Sequence, residues 1–416
     1  MTVALVAMHA RSGMTALNVV TAALGADADV RFVRDPAGMI AALAAVAAEG
    51  KRAIGAWSFY SPDFAAASRD LATVKASGAP ALHLAGGVHA TAEPLATLRA
   101  GFDLVAVGEG EITVREIVRA LERGDDPCAL RGTAHLDPAG RLVSHGPGER
   151  ADPLDTFPAF NAAHEKWNAL EITRGCVYAC SFCQTPFMFK ARFRHRSVAN
   201  VRSHVDHMTR EGSKFVRFLT PTSLSYGSSD TSVNLDAVEE LLASVREGVG
   251  NDGKVFFGTF PSECRPEHVT EEALAVLARY VDNRTLVIGG QSGSDRVLET
   301  TRRGHTVADV VRAVERGVAA GFRPDVDFLL GLPGETPEDR IASMQLAERI
   351  VKMGARIHSH AFMPLPGTPL RDAVPEPIEE RTMRAMARLE SAGNAYGQWR
   401  RQMITAADLV RARRAE

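Results

Sequence analysis

Cysteine is scarce in this chain, with 5 in 416 residues, and three of the five fall in one short stretch, at Cys176, Cys180 and Cys183. An odd count with three cysteines committed to one loop excludes a disulfide framework and points to a reducing compartment. Long hydrophobic runs are also missing. The most apolar stretch near the start, Met39–Ala48, is far too short to cross a bilayer and reads as a helix packing on a sheet, and no signal peptide is evident. The expectation is a cytoplasmic protein with no membrane partner. Charge of one sign is lacking as well: a net charge of -2, with 24% charged and 45% hydrophobic residues, describes an ordinary surface with no global bias toward nucleic acid. Lysine numbers 7 against 41 arginines, which we read as the codon bias of a GC-rich genome rather than as a phosphate-binding surface.

What is present is a C-x3-C-x2-C register in the stretch Glu171-Ile-Thr-Arg-Gly-Cys-Val-Tyr-Ala-Cys-Ser-Phe-Cys-Gln-Thr-Pro186. A cubane cluster has four irons and takes a thiolate on each, so three close cysteines leave one iron for a substrate or cofactor. A closed zinc site would want a fourth Cys or His nearby, yet Cys128 and Cys264 are distant and the nearest histidine beyond the loop is His195. The alternative is that the three are small buried apolar residues.

With Phe182 just before the last cysteine, and the loop directly after the strand-like stretch Asn168–Thr173, this segment resembles the radical S-adenosylmethionine (radical SAM) superfamily. The resemblance implies a [4Fe-4S] cluster on Cys176, Cys180 and Cys183. It implies S-adenosylmethionine on the open iron, cleaved by an electron from the cluster to a 5'-deoxyadenosyl radical. It also implies an external electron donor such as flavodoxin or ferredoxin.

Residues 1–123 alternate short apolar runs with alanine-rich helical patterns, with strands expected at Val3–Met8, Val30–Val33, Ala53–Ser58, Ala81–Ala85 and Asp103–Val107. The pattern predicts an α/β, doubly wound parallel (Rossmann-like) sheet. Ligands of such sheets bind at the carboxyl ends of strands. Those ends carry Trp57, Ser58, Phe59 and Tyr60, then Gly86, Gly87 and His89, then Gly108, Glu109, Gly110 and Glu111. No G-x-G-x-x-G follows the first strand, so a nicotinamide site is a poor reading.

Gly86-Gly87-x-His89-Ala90-Thr91 followed by Val107-Gly108-Glu109-Gly110-Glu111, ahead of the cysteine loop, resembles the cobalamin-binding domain of the class B, cobalamin-dependent radical SAM enzymes. That resemblance makes all the residues just named candidate cobalamin contacts. The alternative is a flavodoxin-like domain that docks a partner or has lost its ligand. The D-x-H-x-x-G signature of cobalt-ligating histidines is absent. Phe59 or Tyr60 is then expected under the corrin, or else packs in the core of its loop.

Residues 124–167 read as a linker with a small β element around Pro138-Ala-Gly140. Residues 168–370 resume the alternation, with strands near 168–173, 215–220, 255–259, 285–290, 325–330 and 356–362, which predicts a partial (β/α)6 barrel of TIM type. Residues 371–416 read as a helical C-terminal segment. By the family resemblance, S-adenosylmethionine lies across the strand ends, with Glu263, Gln291 and Ser292 near its ribose and amino-acid moiety and Gly331, Pro333, Phe362 and Met363 near adenine. For each of these an ordinary strand-end turn is the alternative. Arg302-Arg303-Gly304-His305 reads either as an anion clamp or as a solvated helix start. Tyr178, Tyr226 and Glu263 are candidate acid/base groups or substrate contacts, and Cys264 is a reactive or a buried structural thiol.

The resemblance implies a methyltransferase acting on an unactivated carbon of a small-molecule or peptide substrate through methylcobalamin and a 5'-deoxyadenosyl radical. Cyclisation or rearrangement with the same cofactors is an alternative, as is a cobalamin-sensing or carrier protein. Gln291-Ser-Gly-Ser-Asp295 and Leu330-Gly-Leu-Pro-Gly-Glu-Thr336 also resemble the methylthiotransferases that modify transfer RNA. Those enzymes carry a three-cysteine amino-terminal domain, whereas residues 1–150 here hold only Cys128. Nucleic acid is therefore not the expected partner, and the tail arginines Arg400, Arg401, Arg411, Arg413 and Arg414 read as a solvated helix face or as phosphate contacts.

Overall fold

Every residue of the first strand, β1 (Val3–Met8), is buried, which requires apolar cover on both faces of its sheet. Ala4, Val6 and Met8 point into one apolar layer with Met39, Leu43, Leu71 and Val74, while Val3, Leu5 and Ala7 point into another with Leu17, Ile54, Leu104 and Ile117. This strand belongs to one of two compact units, Met1–Asn168 and Ala169–Glu416, of a computed structural model that describes residues 2–10 and 13–415.

In the first unit β1 pairs in parallel with β2 (Asp29–Val33) on one side and β3 (Arg52–Ser58) on the other, followed by β4 (Leu82–Gly86) and β5 (Leu104–Ala106). The chain reverses its direction of winding between β1 and β3, the position where open α/β sheets form their ligand crevice. Two further strands, β6 (Thr133–Leu136) and β7 (Leu142–Ser144), continue the same sheet antiparallel. The small β element expected within residues 124–167 thus forms the edge of the first unit's sheet. A two-stranded ribbon alone is marginal in water, and pairing with β5 gives β6 a partner and buries Thr133 and Ala134.

The second unit opens with β8 (Leu170–Glu171) and β9 (Thr173–Arg174), the latter pairing antiparallel with β10 (Arg194–His195). Parallel strands β11 (Phe215–Leu219) and β12 (Lys254–Phe256) join β8. A second parallel set follows: β13 (Thr285–Gln291), β14 (Arg323–Leu330), β15 (Arg356–Ala361) and β16 (Ala395–Gly397). Residues 262–264 stitch the two sets into one curved wall, through Ser223 N–H to Glu263 O at 2.8 Å, Cys264 N–H to Val287 O at 2.8 Å and Gly289 N–H to Cys264 O at 3.0 Å. The partial barrel therefore runs to seven parallel strands, not six. The C-terminal segment is not purely helical either, because β16 lies inside it.

Helices cover the outside. Val307–Ala319 and Pro337–Lys352 each start with a capping box, Thr306 with Asp309 and Thr336 with Asp339. The last helix, Trp399–Ala415, is anchored by Trp399, which is 1% exposed and donates its indole N–H to Glu390 Oε1 at 2.8 Å. Replacing Trp399 by Ala should cost about 3–5 kcal/mol from lost burial and the cavity left behind. A fall in Tm of roughly 10 °C is expected for a unit of this size; an unchanged melt would show that the last helix is not part of the packed barrel.

Candidate active site

The cysteine loop lies between β9 and the short helix Thr185–Met188. Cys176 and Cys180 are buried, Cys183 is half-buried, and all three are free thiols. Burial pushes the Cys176 thiol up to about 12 and also raises Cys183, so taking up iron as thiolates must release protons. The three thiols lie near enough to raise one another, and such a set fits a cluster with one free iron position.

Arg303 fixes this loop to the barrel wall. Its guanidinium is 8% exposed and donates to Cys180 Sγ at 3.3 Å and to Gly289 O at 2.7 Å. Glycine at 289 leaves room for this: a Cβ there would lie 2.9 Å from Arg303 Nη2, 3.1 Å from Gln291 Nε2 and 3.2 Å from Glu263 Oε2, so these side-chain ends would have to shift. Glu263, Gln291 and Arg303 thus crowd around one bare backbone position. Of the basic run Arg302–His305, only Arg303 faces the thiols.

Glu263 keeps partial solvent access and shares a hydrogen bond with Asp327, which is buried. Burial, with the neighbouring carboxyl second, raises Glu263 to about 8, and burial raises Asp327 to about 7. Asp327 continues into a chain of polar groups. His358 Nδ1 lies 2.7 Å from Asp327 Oδ1, His360 Nε2 lies 3.2 Å from His358 Nδ1, and Gln402 Nε2 lies 3.3 Å from His360 Nδ1. Burial lowers His358, and burial with the adjacent His358 lowers His360 to about 4. Tyr396 on β16 stacks on His358 at 4.6 Å and donates its hydroxyl to Asp325 Oδ2 at 2.9 Å.

Other sequence candidates have structural employment. Tyr178 binds Thr231 O at 3.0 Å and His268 Nε2 at 2.9 Å and carries the Arg265 guanidinium 3.5 Å above its ring. Tyr226 is 3% exposed and donates to Arg196 O at 2.7 Å. Both tyrosine hydroxyls are thus engaged in contacts that hold neighbouring loops. Ser292 is 1% exposed, with its hydroxyl taken by Ser343 Oγ at 3.3 Å and Ser294 N–H at 3.2 Å. Gly331 N–H is taken by Glu335 Oε2 at 2.8 Å. Phe362 and Leu332 form an apolar cluster with Phe182 of the cysteine loop, which brings the Gly331–Pro333 and Phe362–Met363 segments toward the thiols. Cys264 is 1% exposed and burial raises it to about 12, a structural thiol.

In the first unit the strand ends converge as expected, but several named side chains point inward. Trp57 and Phe59, each 3% exposed, belong to the core, and His89 is buried against Phe64 with Nδ1 3.0 Å from Ser61 Oγ. Glu109 is buried and accepts from Ala151 N–H at 3.2 Å, and Glu111 is buried too. Tyr60, 51% exposed, is the aromatic of that loop left available to a ligand. Gly87, at φ 87°, would set a Cβ 2.7 Å from Ser58 Oγ, so glycine is what lets the β3 and β4 ends meet. Gly86, Gly108 and Gly110 stay half-buried on the same carboxyl edge.

With this geometry in place, comparison with known proteins is decisive for one region: residues 170–347 match the Radical SAM superfamily. The second unit carries a radical SAM domain. A domain of this family binds S-adenosylmethionine and a [4Fe-4S] cluster, and the thiols of the cysteine loop fit the cluster. In sequence, the chain is 30% identical over 51% of its length to a tRNA-2-methylthio-N(6)-dimethylallyladenosine synthase of Chromohalobacter salexigens, covering 47% of that protein. It is likewise 30% identical over 57% of its length to a putative methylthiotransferase of Methanocaldococcus jannaschii, covering 51% of it. The chain thus spans about half the length of these curated relatives. In fold, it is similar over 90% of its length to the radical S-adenosylmethionine methyltransferase TsrM from Kitasatospora setae, with TM-score 0.68, 18% identity and 76% of that chain covered. It is also similar over 84% of its length to the cobalamin-dependent radical enzyme OxsB, with TM-score 0.64, 16% identity and 52% of that chain covered. No described helix is long and apolar enough to cross a membrane.

Asp327, His358 and His360 were not singled out by sequence reasoning. The signal was there: Asp325-x-Asp327 and His358-x-His360 place titratable groups at period two along two strands, on one face of each.

The carboxyl pair makes stability depend on pH. Both carboxyls hold their protons more tightly folded than unfolded, so the folded chain binds more protons and stability falls as pH rises from about 5 through about 8. In the double variant Glu263→Gln/Asp327→Asn the Tm should decline less steeply over that range than in the parent. Equal slopes would mean the pair is not protonated in the fold.

Proposed function

We propose that this chain is a cobalamin-dependent radical SAM enzyme that transfers a methyl group to a carbon of a small-molecule or peptide substrate. The observation that carries the reading is the fold likeness to TsrM over 90% of the chain, which extends across both units. In support, the first unit has the doubly wound parallel core and glycine-bearing strand ends suited to a flat ligand, with Ser58, Tyr60, Gly86, Gly87 and Gly108 along its carboxyl edge. These residues would hold the corrin, whose cobalt supplies the methyl group. In the second unit, Cys176, Cys180 and Cys183 would hold the cluster, with Arg303 as a fixed cation beside Cys180. Glu263 and Gln291 would meet the polar end of S-adenosylmethionine, and Phe362 with Met363 its adenine. An external electron donor such as a flavodoxin or ferredoxin is the partner this chemistry needs, and the cytoplasm is the compartment that would supply it.

The protein's share of the chemistry is positional. Buried walls would exclude water from the thiol face, and strand-end residues would hold the reacting carbon in place.

A second reading, methylthio transfer to RNA, is favoured by the 30% identity to methylthiotransferases. The first unit holds one cysteine, Cys128, so that unit has no thiol set for a second cluster. Three of the tail arginines that could meet phosphate have carboxylate partners, Arg400 with Glu390 at 2.7 Å, Arg411 with Asp408 and Arg413 with Asp372 at 3.2 Å.

Two outcomes are expected for protein purified without oxygen from cobalamin-fed cells. It should contain close to four irons and one corrinoid per chain, measured by iron and sulfide analysis and by mass spectrometry of the released corrinoid. Four irons with no corrinoid after reconstitution would overturn the reading in favour of a cobalamin-independent radical enzyme whose first unit docks a partner. The Cys180→Ala variant should lose the cluster's visible absorption while still binding corrinoid in the first unit; loss of both together would contradict the assignment of each cofactor to its own unit.

A further inference from the structure

We propose that Asp327, His358 and His360 form a binding site for one divalent transition-metal ion inside the barrel, separate from the cysteine cluster. Asp327 Oδ1, His358 Nδ1 and His360 Nε2 converge, with separations of 2.7, 3.2 and 3.9 Å. Ligands of an ion held at about 2.1 Å stand roughly 3.0–3.4 Å apart, so these three atoms bracket the triangle such an ion needs. Two imidazoles with one carboxylate suit zinc, iron or cobalt rather than magnesium or calcium.

Proton counting favours an ion over hydrogen bonds alone. A neutral imidazole nitrogen carries either one proton or one lone pair. His358 Nδ1 faces both Asp327 Oδ1 and His360 Nε2. One proton or one lone pair serves one of these contacts and leaves the other unmet, whereas a cation accepts all three lone pairs. The strands enforce the convergence: Asp327 pairs with His358 in the β14–β15 register, and His360 lies two residues on, on the same face. Tyr396 stacked on one side holds the His358 ring. Three protein ligands leave a position for water or for an oxygen or nitrogen donor of the substrate.

Gln402 is the positioning residue. Its Oε1 now accepts from Ala361 N–H at 2.9 Å and its Nε2 faces His360 Nδ1. Coordination through His360 Nε2 puts the ring proton on Nδ1, so Gln402 must turn an oxygen toward it. A carboxylate at 402 would accept from Ala361 and His360 together, the arrangement that orients metal-bound histidines elsewhere.

The test uses the full chain with Cys176, Cys180 and Cys183 all replaced by Ala, so that cluster iron cannot contribute and the outcome is independent of the proposed corrinoid and radical chemistry. Co2+ alone is titrated without oxygen and followed by its visible ligand-field bands, with zinc stoichiometry by elemental analysis after dialysis. One ion per chain is expected, with affinity falling at least about 100-fold in Asp327→Asn and in His360→Gln and rising about 10-fold in Gln402→Glu. Metal should raise the Tm of the parent and not of the first two variants, which also shows that they fold. Absence of saturable binding, or binding unchanged by all three substitutions, would overturn the site. Tighter binding in Gln402→Glu cannot come from misfolding, so that variant decides the matter even if the others are unstable.

Discussion

The cysteine loop depends on one buried cation. Arg303 reaches from the turn after a short helix into the lumen, with one arm on Cys180 and the other on the carbonyl of Gly289. A guanidinium so deep costs several kcal/mol to desolvate unless its donors are used, and here a thiol sulfur and a backbone carbonyl take Nη1 and Nη2, while Nε has no partner among the described residues. Gly289 supplies the room, and any side chain there would push against Arg303, Gln291 and Glu263 at once. The loop, the β13 strand end and the acidic pair are therefore one mechanical assembly. What holds the thiols in place also sets how near a negative charge can come to them.

The second consequence is a graded interior. Beside the thiols stands a fixed positive charge. Farther along the wall stand two carboxyls that burial keeps close to neutral near pH 7, then two histidines that burial keeps unprotonated. Such a lumen carries little net charge of its own while offering many lone pairs.

Much of this was legible in the sequence because it rests on local rules. The C-x3-C-x2-C register, the alternation of strands with helices and the glycines at strand ends follow from bond geometry and periodicity, which neighbours in the chain are enough to express. The aromatic loop Trp57–Tyr60 shows the boundary. Three aromatic side chains next to a strand end gave one exposed group, Tyr60, and two core groups, Trp57 and Phe59. Alternation along an extended backbone sends adjacent residues to opposite sides, and only the packed layer shows which side is solvent.

By itself, the sequence determined the two α/β halves, the thiol set and the carboxyl-edge location of both candidate sites. Tertiary structure alone decided that residues 133–144 complete the first sheet, that β16 adds a seventh strand to the barrel, and that Arg303, Asp327, His358 and His360 share its interior. The reason is distance along the chain. Asp327 and His358 are separated by a whole helix in sequence, yet parallel pairing sets them side by side, and no local pattern records which strands become neighbours.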